Sequence, residues 1–256
     1  MGVTWLARRG DEAPVVLKRI HPALAARDDA RDRFLHEARA MARVHDVCVP
    51  RTLGLGEVEG EWFIAMEYIE GVSVQARLEA GPPFTSGEVA RLGADGAQAL
   101  LAAHGARDAN GLSAPVIHRD VSPHNLLLGN DGRARLIDFG VASLTGEGES
   151  GGKYAWAAPE QLLDDVASPL SDQYSLGVVL WECVAGRPAF DFEEDVEVIF
   201  QVTEVGVPPL PASTPEALRA VVMRMTSLAP EGRFEDLREV RETLALLGAE
   251  RAPLRR

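Results

Sequence analysis

His118-Arg119-Asp120-Val121-Ser122-Pro123-His124-Asn125 is the stretch on which the fold of this chain turns. It sets a carboxylate, Asp120, and an amide, Asn125, five residues apart. Pro123 has a fixed φ and no N–H, so the two side chains ride on a stiff loop rather than on a helix end that frays. Thirteen residues beyond Asn125, Asp138-Phe139-Gly140 follows the apolar pair Leu136-Ile137, which places a second carboxylate at the end of a strand. Between the two, Asn130-Asp131-Gly132 separates Leu126-Leu127-Leu128 from Ala134-Arg135-Leu136-Ile137, a strong hairpin signal.

Toward the N-terminus, residues 3–8 and 14–20 are β-rich runs, and 52–58 and 62–67 fit two more strands. After Asp28-Asp29 a helical pattern puts Phe34, Ala38, Met41 and Ala42 on one face. A small sheet with one helix results. From about residue 73 the pattern turns helical, with Val89, Leu92, Gly96, Leu100 and Ala103 at helix spacing, and it stays mostly helical from 158 to 248. No repeat, low-complexity tract or linker splits off another domain.

The 256 residues, 46% of them hydrophobic, suffice for a full core, as one large domain or two closely packed lobes. A formal charge of −13 argues against a nucleic-acid backbone or an anionic membrane surface as the main partner, because both demand clustered Lys and Arg. Cys48 and Cys183 lie far apart in apolar surroundings and read as free buried thiols in a reducing compartment. There is no signal-peptide pattern, and the uncharged apolar run Tyr174 to Trp181 is too short to span a bilayer, so a cytoplasmic location is expected. The histidines and cysteines show no zinc-ligand spacing. A scattered histidine such as His45 or His104 is expected to be a packed or surface residue.

Over essentially its whole length the chain resembles the catalytic domain of the eukaryotic-like (Hanks-type) serine/threonine protein kinases of bacteria. The resemblance implies an α+β, bilobal fold: a small antiparallel β-sheet N-lobe with one helix (1–67), a hinge (67–71) and a larger, mainly α-helical C-lobe (72–256). It implies ATP and Mg2+ as cofactors and a protein Ser/Thr hydroxyl as acceptor. Asp120 would take the hydroxyl proton, Asn125 and Asp138 would bind magnesium, and Lys18 in Val15-Val16-Leu17-Lys18 would hold the α/β-phosphates with Glu37 as its ion-pair partner. Met66-Glu67-Tyr68-Ile69-Glu70-Gly71 looks like the hinge, with backbone groups of Glu67 and Ile69 on adenine and Met66 as gatekeeper. Val16 and Leu127 would sandwich the base, and Met41, His118 and Phe139 would stack behind it. Ala158-Pro159-Glu160 resembles the end of the activation segment, Arg233 the buried partner of that glutamate, and Asp172 the aspartate that braces the catalytic loop. Arg119 resembles the receptor for an activation-segment phosphate, with Ser143, Thr145 and Ser150 as acceptors, or Glu147 and Glu149 as constitutive partners.

Three departures stand beside these matches. Of the family's glycine-rich loop only the last glycine, Gly2, remains, and Thr4 replaces the valine over adenine. Either the true start of the protein lies upstream, or ATP binds beneath an open roof. Ser122 stands where the family has a catalytic-loop lysine, and Lys153 where it has an activation-segment threonine. A swap is expected, with Lys153 reaching the γ-phosphate and Asp120 while Ser122 takes the threonine's hydrogen-bonding role; the alternative is a Lys153 pointing to solvent. The same departures leave a pseudokinase, a nucleotide-binding signalling scaffold with little or no turnover, as the alternative function.

Overall fold

A computed structural model describes residues 3–8, 10–19, 35, 38–139 and 153–249, with only the backbone of Lys153. Four strands, β1 (Val3–Ala7), β2 (Val15–Arg19), β3 (Thr52–Val58) and β4 (Glu61–Glu67), form an antiparallel sheet in the order β1-β2-β4-β3. Its register pairs Val16 with Met66 and Lys18 with Ile64. Glu59 and Gly60 join β3 to β4 with φ of 53° and 79°, the left-handed pair that a tight hairpin matching strand twist requires.

Leu35 and residues 38–41 are helical, and Ala38 is buried. Phe34 lies outside the described residues. Ala42, expected on the inward face, is exposed, because its N–H closes the last turn onto the Ala38 carbonyl and the chain then bends away. The segment that follows joins the large core: Val44, Cys48 and Val49 are buried in it, and the Leu136 N–H donates to the Cys48 carbonyl at 2.9 Å.

A second sheet, β5 (Gly71–Ser73), β6 (Leu126–Gly129) and β7 (Ala134–Leu136), carries the expected hairpin and adds β5 as a third strand. Gly132 takes φ 81° in its turn. The helices then follow: α1 (Val74–Ala80), α2 (Ser86–His104), α3 (Pro159–Asp164), α4 (Pro169–Ala185), α5 (Asp195–Phe200), α6 (Glu216–Met225) and α7 (Leu237–Ala249). Thr85 and Glu88 cap α2 reciprocally.

Helix α4 organises this half. Ser168 caps it, Pro169 opens it, Gly186 closes it at φ 68°, and every residue from Ser171 to Cys183 is buried. A helix buried all round belongs at the centre of a core. Helix α2 packs on it and on α7 through Gly93 and Gly96. A Cβ on Gly93 would meet Leu180 and Leu244 side chains at 2.8 and 2.7 Å, and one on Gly96 would meet Leu176 at 2.8 Å. The five helix-spaced residues Val89, Leu92, Gly96, Leu100 and Ala103 all face this core.

Candidate active site

The loop 118–125 is held from below by one buried side chain. Asp172, in the first turn of α4 and 1% exposed, accepts the His118 N–H and the Arg119 N–H, each at 2.8 Å, and pairs with His104 Nε2 at 2.8 Å. This bracing lets Arg119 sit at φ 69°, a left-handed conformation that a non-glycine residue adopts only when its surroundings impose it. His118 is buried. Its Nδ1 accepts the Asp120 N–H at 3.2 Å, which leaves Nε2–H to donate to the Ile137 carbonyl at 2.8 Å. Burial holds this imidazole below its usual range, so it serves as a neutral bridge from the loop to the strand end.

Asn125 Nδ2 donates to the Asp120 carbonyl at 2.8 Å and to its carboxylate at 3.1 Å. The amide thus orients the carboxylate through Nδ2 and keeps its side-chain oxygen, Oδ1, available. The Ile137 N–H donates to the Asn125 carbonyl at 2.9 Å, so the residue preceding Asp138 is tied to the loop. Asp138 has φ 62°, and its carboxylate meets Lys18 Nζ at 2.8 Å. Phe139 is buried against His118, ring centroids 4.5 Å apart. The aromatic points into the core and the carboxylate into the cleft.

That cleft, about 240 Å³, lies between the two sheets. Val16, Met66, Glu67, Ile69 and Leu127 line it, together with Met41 and Asp138. Tyr68, Leu136 and Ile137 also line it. They carry no signal of their own in the sequence beyond adjacency to residues that do. Gly2, Glu37 and the Lys153 side chain lie outside the described residues; the described partner of Lys18 is Asp138. Ser122 is buried at 4% exposure. Residues 140–152, with Ser143, Thr145, Glu147, Glu149 and Ser150, are also outside the described residues.

The protein kinase domain family matches residues 1–243 of the sequence. This chain belongs to that family. The serine/threonine-protein kinase PknL of Mycobacterium tuberculosis is 32% identical over 254 residues, covering 92% of this chain and 61% of that protein. The tyrosine-protein kinase MasK of Myxococcus xanthus is 32% identical over 242 residues, covering 90% of this chain and 38% of that protein. Among solved structures, the M. tuberculosis PknI kinase domain is similar with a TM-score of 0.72 and 27% identity, over 97% of this chain and 91% of that one. The chain spans 32% to 61% of the length of the first curated relatives it matches. Its fold is the bilobal protein kinase fold.

In this kinase domain the wall on the Trp156 side of the 118–125 loop is also built from long-range contacts. The 3-10 turn Lys153–Trp156 precedes α3, and Trp156 Nε1–H donates to Glu182 at 2.9 Å while the Ala189 N–H donates to the other oxygen at 3.0 Å. Burial pushes the Glu182 carboxyl up, and these two donors pull it part of the way back. His124 meets the Trp156 ring edge-on at 5.9 Å, which joins this wall to the catalytic loop. His104 was expected to be a packed or surface residue; it is packed, and it has a defined task beside Asp172 that only the folded chain reveals. Both cysteines are free and buried, and burial pushes the Cys48 thiol up to about 12. Among the described residues no helix is long and apolar enough to cross a membrane.

Proposed function

We propose that this kinase domain transfers the γ-phosphoryl group of ATP to a serine or threonine hydroxyl of a protein. The observation that carries the reading is the Lys18–Asp138 pair at 2.8 Å, at the cleft and one backbone hydrogen bond from the Asp120–Asn125 unit. A lysine and a carboxylate placed this way can each take a phosphate-bearing ligand, the ammonium directly and the carboxylate through a cation.

The donor chemistry fits magnesium. Asp138 and the side-chain oxygen of Asn125 are hard oxygen donors, and Mg2+ takes one or two such protein ligands together with phosphate oxygens and water. Magnesium would neutralise charge that develops on the phosphates. The apolar surfaces of Val16 and Leu127, one from each sheet, suit a flat base, with Glu67 and Ile69 offering backbone groups at its edge. Gly2, the counterpart of the last glycine of the family's glycine-rich loop, would lie over the phosphates.

Asp120 would accept or orient the acceptor hydroxyl, held in place by the Asn125 amide. Lys18 would bind the α/β-phosphates, with Glu37 as its second partner. Lys153 would supply the cation that Ser122 does not, a role that follows from its place in the sequence seven residues before Glu160. Residues 1–67, 67–71 and 72–256 would act as lobe, hinge and lobe. The free buried thiols suit a reducing, ATP-rich compartment, which supports a cytoplasmic location.

The preference for serine or threonine rests on the catalytic-loop resemblance around Pro123 and on relatives named for that activity, PknL among them. Phosphoamino-acid analysis of a generic protein acceptor, after incubation with γ-labelled ATP and magnesium, tests it. Label in phosphoserine or phosphothreonine is expected; label confined to phosphotyrosine would overturn the acceptor assignment.

A further inference from the structure

Residues 105–117 separate His104 from His118, and they close into a short hairpin that leads straight into the catalytic loop. The Val116 N–H donates to the Ala103 carbonyl at 2.9 Å and shuts its base, while His104 and the His118 N–H both meet Asp172. At its tip Asp108 accepts the Asn110 and Leu112 N–H groups, and Gly111 takes φ 79°. No residue of the hairpin lines the nucleotide cleft.

Arg107 and Ser113 face each other across it. The Asp108 N–H donates to the Leu112 carbonyl and the Ala114 N–H to the Ala106 carbonyl, each at 2.9 Å, so Arg107 and Ser113 are the non-hydrogen-bonded pair between those two bonds. Such a pair brings the two Cα atoms to about 4.5 Å and sets both side chains on one face. The Ser113 N–H and C=O then point outward, along an edge that another chain can engage.

Ser113 and Ser213 are the exposed serines among the described residues. Beside Ser213 the Arg219 guanidinium is already committed, to Glu216 and to the carbonyls of Ala212 and Thr214. The exposed Arg107 guanidinium donates to the Gly111 carbonyl at 2.8 Å and pairs with no carboxylate among the described residues. A neutral carbonyl leaves its charge uncompensated, and a guanidinium fork matches phosphate oxygens.

We propose that Ser113 is an autophosphorylation site and that Arg107 holds the resulting phosphoserine. A second copy of the chain supplies the active site. The Ser113 oxygen bonds to the γ-phosphorus of ATP, the bond from that phosphorus to the β,γ-bridging oxygen breaks, and ADP leaves. The hydroxyl proton passes to Asp120 of the acting copy and on to solvent. The product carries close to two negative charges beside Arg107. The proposal names an acceptor for the kinase activity proposed above and rests on that reading.

Trypsin releases peptide 108–119, in which Ser113 carries the only hydroxyl. After incubation with γ-labelled ATP, magnesium and a generic protein acceptor, the parent chain should carry label in that peptide. The Asp120→Asn chain should be labelled there when mixed with the Ser113→Ala chain, and at least about tenfold less when alone. Ser113 lies outside the cleft, so Ser113→Ala should label the generic acceptor at the parent rate with an unchanged circular dichroism spectrum. By phosphorus NMR the phosphoserine should ionise below the ordinary second value of about 6, and Arg107→Gln should return it there. Label on the generic acceptor with none in peptide 108–119 overturns the proposal and leaves the kinase reading standing. No label on either acceptor overturns both. Equal labelling of Asp120→Asn alone and in the mixture overturns transfer by a second copy, and an unchanged phosphoserine titration in Arg107→Gln overturns the role of Arg107.

Discussion

Arg233 and Glu160, 73 residues apart, meet through two parallel hydrogen bonds, Nη1 to Oε1 at 2.7 Å and Nη2 to Oε2 at 2.9 Å. The other guanidinium donors reach the carbonyls of Ser227, Leu170 and Leu228, and the Arg233 side chain is fully buried. The pair fixes α3 to the C-terminal helices. Removing one member of a buried, hydrogen-bonded pair leaves the other charge uncompensated. Arg233→Met should lower unfolding free energy by about 3–5 kcal/mol in urea denaturation. Arg233→Met combined with Glu160→Leu should recover part of that loss, because the stranded carboxylate is gone.

Asp172 makes a prediction of a different kind. It accepts from two backbone N–H groups and His104, so Asp172→Ala strands buried donors at about 1–3 kcal/mol each. The Arg119 backbone, at φ 69°, loses the contacts that hold it there. Activity is expected to fall further than stability does, which parallel measurements of thermal melting and of kcat at a temperature where the variant is folded will show.

The His118 imidazole gives a pH dependence with a definite sign. Burial lowers its pKa in the folded chain from the ordinary 6.5, so below that value the unfolded chain binds a proton that the folded chain refuses. Stability therefore falls as pH drops from 6.5 toward the folded value, and is steady above 6.5 as far as this group is concerned. His118→Phe should be less stable at neutral pH, losing two hydrogen bonds, yet show a shallower decline between pH 6.5 and 5 in denaturation midpoints.

Lys153 and Ser122 test the proposed exchange of roles. Lys153→Ala should lower kcat by about 10² with the fold intact, the size expected for one preorganised charge near the reacting phosphoryl group. Ser122→Lys in that background should restore part of the rate. A Lys153→Ala chain as active as the parent would place that side chain outside the chemistry.

Much of this arrangement is legible in the sequence because it is written locally. Alternating strands, the Asn130-Asp131-Gly132 turn and the apolar face of α2 depend on neighbours a few residues away, and each appears where the pattern puts it. Strand β5 is three residues long and exists because β6 offers it a partner, so no local pattern announces it. The bond between His104 and Asp172 spans 68 residues, and the contact of Trp156 with Glu182 spans 26. Nothing in either residue's neighbourhood encodes such pairing. The exposed face of α5 was hidden for another reason: nothing local in the sequence distinguishes Val196 and Phe200, which face outward, from Val198, which is buried.

If Asp120 serves phosphoryl transfer, the rate of label transfer from γ-labelled ATP with magnesium to a protein acceptor depends on its carboxylate. Asp120→Asn keeps the side chain's size and removes its charge. The wild-type chain should transfer label about 10²- to 10⁴-fold faster than this variant at equal nucleotide occupancy, the range for loss of a positioned general base. Equal rates for the two chains would show that Asp120 has no part in the transfer.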